Sequence, residues 1–427
     1  MKMNNIPSGA NYELFSERLK TSRVSYADGK FERIESKDGL NNRLRLLSEG
    51  KIVTVGSTCP NGADKMMADA VEMLKYGSDY SESFAKAAQI KPLTLFDPKS
   101  LSSKEMIDIM NDFVEKLKKL DSRLNIRAEL TNKNSEIALK TSMGFDHSYE
   151  KSFWEIAAYV ALVQGDDRYD MMSYRQSMRP DFDIQAIIDD IAQKLEWGEK
   201  VVEFKAGAYP VIFAPSQTTF ILNPVLESLN GQAFYDKTSP WVDKLGSKTL
   251  DARFSIVDDA TIDKSYGSQP FDVEGTPTQR TVLVENGALN AILLDNKYGA
   301  RLSKPSTGNA SAYGVPTPNH IEMSAGSKSV EDMIKSIDYG VIINDTMGAW
   351  SGNPFAGIVS GTISAGFKIE NGKIAGRIKD CMFTANSFEH LDKHLVDLSS
   401  ERQVVEEDGY FANLPYMQLD KVVISAE

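Results

Sequence analysis

Two segments of the chain are nearly alike: TVLVENGALNAIL around Asn286-Gly287 and GFKIENGKIAGRI around Asn371-Gly372. Each sets Asn-Gly between runs of β-type residues. A two-residue turn of that kind needs φ > 0 at both central positions, which Asn tolerates and Gly adopts without strain. Neither segment can continue as a helix, so each predicts a hairpin and the second half of the chain reads as strands and tight reversals. The first 60 residues read the same way. Short strands are expected over residues 12–19, 22–26 and 31–36, broken by Asp28-Gly29 and Asp38-Gly39. Two more, over 40–47 and 51–57, are broken by Glu49-Gly50. Residues 123–140 and 146–178 each read as a long strand.

Helices interrupt this pattern. One is expected from Gly62 to Lys75, stopping at Gly77. The clearest runs from Ser103 to Leu120. Ser102 and Glu105 form an S-x-x-E capping box, and Met106, Met110, Phe113, Leu117 and Leu120 recur on one face. Asp183 caps another, which buries Ile184, Ile187, Ile188, Ile191 and Leu195 and is expected to stop at Gly198. A short helix from Val330 to Asp338 is capped by Ser329. The fold class expected is α+β: an N-terminal mixed sheet-and-helix domain over 1–200, then a β-rich C-terminal domain over 201–427. At about 150 residues per domain, 427 residues allow two or three.

Charge and cysteine usage narrow the function classes. The 48 basic and 60 acidic side chains leave −12, a field that repels phosphate backbones and argues against direct nucleic-acid binding. Two cysteines, Cys59 and Cys381, make no disulfide framework and fit a reducing compartment. The longest apolar run, near Trp154 to Val163, is about ten residues and holds Glu155, where a membrane span needs about 20. The opening MKMNNIPSGANYELF has no apolar signal core. A cytoplasmic protein with no membrane partner is expected.

Spacing alone gives no active site. His390 and His394 are four apart and would share a helix face, but the order EHLDKH is not H-E-x-x-H and reads as a solvated surface. His320 lies in PTPNHIEM, a Pro-rich loop; it and Asn319 are weak substrate-binding candidates. Cys381 in RIKDCMFT reads as a half-buried inert thiol. The glycines from Gly348 to Gly366 lack the lysine of a phosphate loop. The acid pairs Asp166-Asp167, Asp189-Asp190 and Asp258-Asp259 lack calcium-loop spacing.

The stretch FDVEGTPTQRTVLVENGALNAILLDNKYGARL resembles the D-x-E-G-T-P segment of TldD/PmbA proteins. STGNASA, MSAGSKSVEDMIKSIDYGVIIND and GFKIENGKIAGRIKD follow in that family's order, and YELFSERLKTSRVSYADGKFERIES is similar to its opening strands. The resemblance implies a fold and a role. In the TldD branch an H-E-x-x-x-H helix and a cysteine hold a catalytic zinc, with the glutamate as general base. The PmbA (TldE) branch lacks these ligands and pairs with TldD. The pair resembles a cytoplasmic metalloprotease for unfolded or modified peptides, and PmbA proteins are also linked to DNA gyrase.

Aligned on Asn230-Gly231-Gln232, this chain carries Leu222, Asn223 and Glu227 at the H, E and H positions, and its tail has no cysteine. Leucine cannot ligate zinc and an amide cannot act as the base, so no catalytic residue, no metal site and no cofactor are expected there. Pro224 is expected to interrupt the helix. The resemblance thus implies a non-catalytic PmbA/TldE-like subunit that forms a homodimer, or a heterodimer with a TldD-like chain, around a peptide substrate. Two alternatives stay open. One is a self-sufficient zinc metallopeptidase with relocated ligands such as Glu227, His320 or Cys381. The other is a stand-alone peptide-binding or gyrase-modulating protein.

Overall fold

The computed structural model describes residues 6–165, 167–349, 352–407 and 409–426. Its first half is one antiparallel sheet, with strands β1 (Asn11–Ala27), β2 (Lys30–Ser48), β3 (Lys51–Ser57), β4 (Ser78–Asp79), β5 (Leu124–Thr141), β6 (Asp146–Gln164) and β7 (Asp167–Ser177). Their order is β4-β3-β2-β1-β5-β6-β7, and register holds straight across the long ones: Asn41, Glu17, Ile137 and Tyr149 form one row.

Two of the expected turns hold. Asp28-Gly29 and Glu49-Gly50 all have φ between 49° and 73°. Asp38-Gly39 does not turn. It lies inside β2, paired with Lys20 and Leu19 of β1. Arg18 engages both Asp38 carboxylate oxygens, at 2.8 and 2.7 Å, so that side chain is held across the strands and does not close a turn. The expected long strand over 146–178 is corrected too. At about 3.3 Å per residue it would run to about 110 Å. The chain reverses at Gly165 (φ +63°) and returns as β7, with Gln164 opposite Asp167. Asp166 lies outside the described residues.

Helix α1 (Ala63–Met73) packs on β2 and β3; α2 (Ser103–Lys118) and α3 (Ile184–Gly198) pack on β5 and β7. The Ser102–Glu105 capping box forms in both directions, and Asp183 accepts from the Ala186 amide at 3.0 Å. Gly198 is not a left-handed stop. It is the last helical residue, and a Cβ there would sit 2.3 Å from the Tyr169 ring.

The second half builds an eleven-stranded sheet from β8 (Gly207–Phe213), β9 (Ile256–Asp259), β10 (Arg280–Glu285), β11 (Ala288–Leu289), β12 (His320–Met323), β13 (Tyr339–Met347), β14 (Ile358–Glu370), β15 (Lys373–Ile378), β16 (Cys381–Asn386), β17 (Leu395–Glu407) and β18 (Tyr410–Ala426). Because β18 pairs with both β16 and β8, the strands β8, β13, β14, β16 and β18 close into a ring. Both Asn-Gly pairs sit at hairpin tips with positive φ: Asn286-Gly287 joins β10 to β11, and Asn371-Gly372 joins β14 to β15. The helix begun at Val330 ends at Lys335, sooner than expected, because the chain enters β13 at Tyr339.

The two sheets share a core. Val24 and Ile156 of the first sheet, Phe113 and Ile191 of the helices, and Ile342 and Phe367 of the second belong to one buried apolar cluster. This is the α+β architecture read from the sequence. Among the described residues, no helix is long and apolar enough to cross a membrane.

Candidate functional site around the central helix

Helix α4 (Pro215–Ser228) packs on β18, β13 and β17. Pro215 occupies its first turn, where no amide partner is needed. The helix is buried on nearly every side: Ile221, Leu222 and Val225 are all 0% exposed. Pro224 does not interrupt it, contrary to expectation. The helix runs unbroken through that residue. Proline forfeits one backbone hydrogen bond, and burial of its ring with Ile221, Leu222, Val225 and Leu226 outweighs that loss.

The three positions singled out in sequence divide. Leu222 points into the main apolar core. Asn223 is half-buried, and its side-chain oxygen accepts the Tyr410 hydroxyl at 2.6 Å. Glu227, one turn on, is exposed. Asn223 and Glu227 line a cavity of about 240 Å³, walled opposite by Val315, Pro316 and Ile358. Among the described residues the lining holds one carboxylate, two engaged amides (Asn223 and Asn230) and one phenol, with no imidazole and no thiol.

His320 and Asn319 lie elsewhere. His320 opens β12 instead of sitting in a loop, opposite Phe411 of β18. Its backbone amide and that of Asn319 both donate to Asp258 Oδ1 at 2.9 Å, and Asn309 Nδ2 binds Oδ2 at 2.5 Å. Burial pushes the Asp258 carboxyl up, and these donors work against that. Of the acid pair Asp258-Asp259, the first residue is thus a structural hub. Asp167 is bound by Arg377 at 2.6 Å and Lys379 at 2.9 Å; Asp190 is bound by Lys194 at 2.7 Å.

The His320 ring is 3% exposed and held at both nitrogens. Nδ1 lies 2.8 Å from Ser265 Oγ, and Nε2 lies 3.0 Å from Glu322 Oε1. Glu322 also takes Arg402 at 2.7 Å. Burial works to raise the Glu322 carboxyl, but His320 and Arg402 outweigh it and leave it below the ordinary range.

The Cys381 thiol is buried, donates to the Lys379 carbonyl at 3.1 Å, and is pushed up by burial and by Asp380. The EHLDKH segment is helical with Glu389, Asp392 and Lys393 exposed, as expected, but it also turns a buried side inward. His390 is buried, with Nδ1 at 2.8 Å from the Asn386 carbonyl, and Leu391 is in the core. Among the described residues, no three His, Cys, Asp or Glu side chains are grouped to hold a metal ion. Sequence reasoning missed Tyr410, which reaches Asn223 across 187 positions with no local signal.

Comparison with known proteins fits this geometry to a family. Residues 206–426 match the model of the PmbA/TldA metallopeptidase C-terminal domain. A metalloprotease PmbA homolog from Buchnera aphidicola subsp. Acyrthosiphon pisum is 24% identical over 420 residues, covering 92% of this chain and 89% of its own. A metalloprotease TldD homolog from the same organism is 26% identical over 312 residues, covering 68% and 64%. The solved TldE from Thermococcus kodakarensis has the same fold, with a TM-score of 0.89 at 22% identity over 97% of both chains.

Proposed function

The chain belongs to the PmbA/TldD metallopeptidase family, and on that premise we propose that it is a non-catalytic, PmbA/TldE-like subunit of a cytoplasmic protease pair acting on unfolded or modified peptides. One observation carries this reading: among the described residues the α4 cavity offers Glu227 as its one carboxylate and no imidazole or thiol, with Asn223 tied to Tyr410 and Leu222 turned into the core. A catalytic zinc needs about three protein ligands and an open position for water. The side chains present do not fit that ion, so no hydrolytic step is derived through it. An amide is also too weakly basic to take a proton from attacking water at neutral pH. The subunit's work is then to complete a dimer and to wall a peptide chamber.

The relocated-ligand alternative has less support, since His320 and Cys381 are both engaged elsewhere. The test is elemental analysis of metal per chain, with digestion of an unfolded protein by the chain alone and after mixing with a TldD-type chain carrying H-E-x-x-x-H. The expected result is no zinc and no cleavage alone, and cleavage in the mixture. About one zinc per chain, with cleavage abolished by Glu227→Ala or His320→Ala, would overturn it.

A further inference from the structure

A second cavity, of about 370 Å³, opens where the edge of the first sheet meets the start of α4. Its chemistry is one-sided. Glu155 of β6, Asp345 of β13 and Glu406 of β17 converge on it. Among the described residues none of the three has a cation within salt-bridge distance. Glu155 accepts only the Gln176 amide at 2.8 Å, and Asp345 accepts the Ser364 hydroxyl at 2.9 Å. The one cation in the lining, Lys194, is held by Asp190 at 2.7 Å and by the Met172 carbonyl at 2.8 Å. Arg175, beside the cleft, donates instead to the carbonyls of Tyr174 and Ala186.

Three further lining groups are buried without a partner among the described residues: Gln176 Oε1, Asn344 Oδ1 and the hydroxyl of Ser173, a residue 3% exposed. Amide oxygens only accept hydrogen bonds, and a buried acceptor without a donor is destabilising. Asp345 and Glu406 keep solvent exposure, yet partial burial still raises both carboxyls; Lys133 works against this on Glu406 and Lys194 on Asp345, while Glu155 adds like-charge repulsion on Glu406. The cleft is therefore an array of acceptors and negative charge with too few donors.

We propose that this cleft binds a multi-donor organic cation, either the guanidinium of an arginine side chain or a polyamine. Such a group supplies several N–H donors at once, together with a cation at salt-bridge distance, closer than Lys133 and Lys194 stand to Glu406 and Asp345. A metal ion is the poorer match, because these carboxylates do not gather into a three-ligand cluster. The site is separate from the Asn223–Glu227 cavity and does not depend on any protease role.

Calorimetric titration of the full chain at low salt tests this, with three probes: doubly blocked Gly-Arg-Gly, the same peptide with neutral citrulline, and spermidine. We expect saturable one-to-one binding of the arginine peptide or of spermidine, and whichever binds identifies the source of the cation. The citrulline peptide should not bind. Glu406→Gln and Asp345→Asn should each weaken binding about tenfold, as loss of one charge-assisted hydrogen bond requires, with the thermal midpoint unchanged. If either variant lowers that midpoint, Glu155→Gln replaces it in the comparison. No saturable binding of either cation, equal binding of the citrulline peptide, or unchanged affinity in the folded variants would overturn the proposal.

Discussion

Lys151 shows how one buried charge sets a pH dependence. It stands on β6 with its Nζ 5.0 Å from the centre of the Tyr266 ring, and it has no ion pair among the described residues. Burial pushes the amine from 10.5 down to about 8, with Glu17 working the other way. Between those values the unfolded chain holds more protons than the folded one, so stability rises as pH climbs from 8 toward 10.5. At pH 7 the buried charge costs roughly 2–3 kcal/mol. Lys151→Met keeps the stem on Tyr266 and removes the charge. It should gain about that much at pH 7 in urea unfolding, and the gain should fade by pH 10.5. An equal gain at both values would show that packing, not charge, is responsible. Leu222 is the converse case. Leu222→His restores the family's ligand letter but puts an imidazole into a fully apolar site, so about 3 kcal/mol of destabilisation is expected. A denaturation midpoint close to wild type would mean that this position can open to the cavity.

Among the elements, the Gly-containing turns separate by what surrounds them. Asp38-Gly39 and Asn286-Gly287 look alike as letters. Gly39 is strand backbone, and a Cβ there would meet nothing closer than the Leu19 carbonyl at 3.9 Å. Gly287 has φ +79°, and a Cβ there would lie 2.0 Å from the Leu250 carbonyl. Gly39→Ala should therefore stabilise the chain by about 0.5–1 kcal/mol, through the entropy glycine forfeits on folding. Gly287→Ala should destabilise it by at least roughly 2–4 kcal/mol, since a strained φ and a backbone clash add. Matched thermal melts of the two variants check this; melts shifted alike would mean the two turns are equivalent after all. Helix α4 makes the same point. Pro224 reads as a breaker in isolation and is carried inside a helix because it and its apolar helix neighbours are buried.

For the whole molecule the open quantity is assembly. Strand β7 is an edge of the seven-stranded sheet, and an unpaired edge is normally covered, blunted or paired. If the chain is one half of the protease pair proposed above, it forms a dimer that buries well over about 1,000 Å² in total. Light scattering at micromolar concentration should return twice the chain mass, whether with itself or with a TldD-type partner added. A monomer in both preparations would remove assembly from the functional reading. Zinc in the growth medium should leave this result unchanged, since the α4 cavity presents a single carboxylate.

The sequence by itself determined what is local. Positive φ at Asn286-Gly287 and Asn371-Gly372, the Ser102–Glu105 capping box, the Asp183 cap and the replacement of a ligand letter by Leu222 and of the base letter by Asn223 all act within a few bonds of the residues concerned. Family motifs added the expected family and its role, because the segments that carry them are contiguous and follow in the family's order along the chain. Tertiary structure decided the rest. It made Asp258 a hub for Asn309, Asn319 and His320, brought Tyr410 to Asn223, and assembled an acceptor-rich cleft from β6, β7, β13 and β17. Burial, and with it the worth of a charge or an unpaired acceptor, depends on strands that meet across more than a hundred positions. No spacing rule along the chain carries that information, because the partners are chosen by register and packing after the local elements have formed.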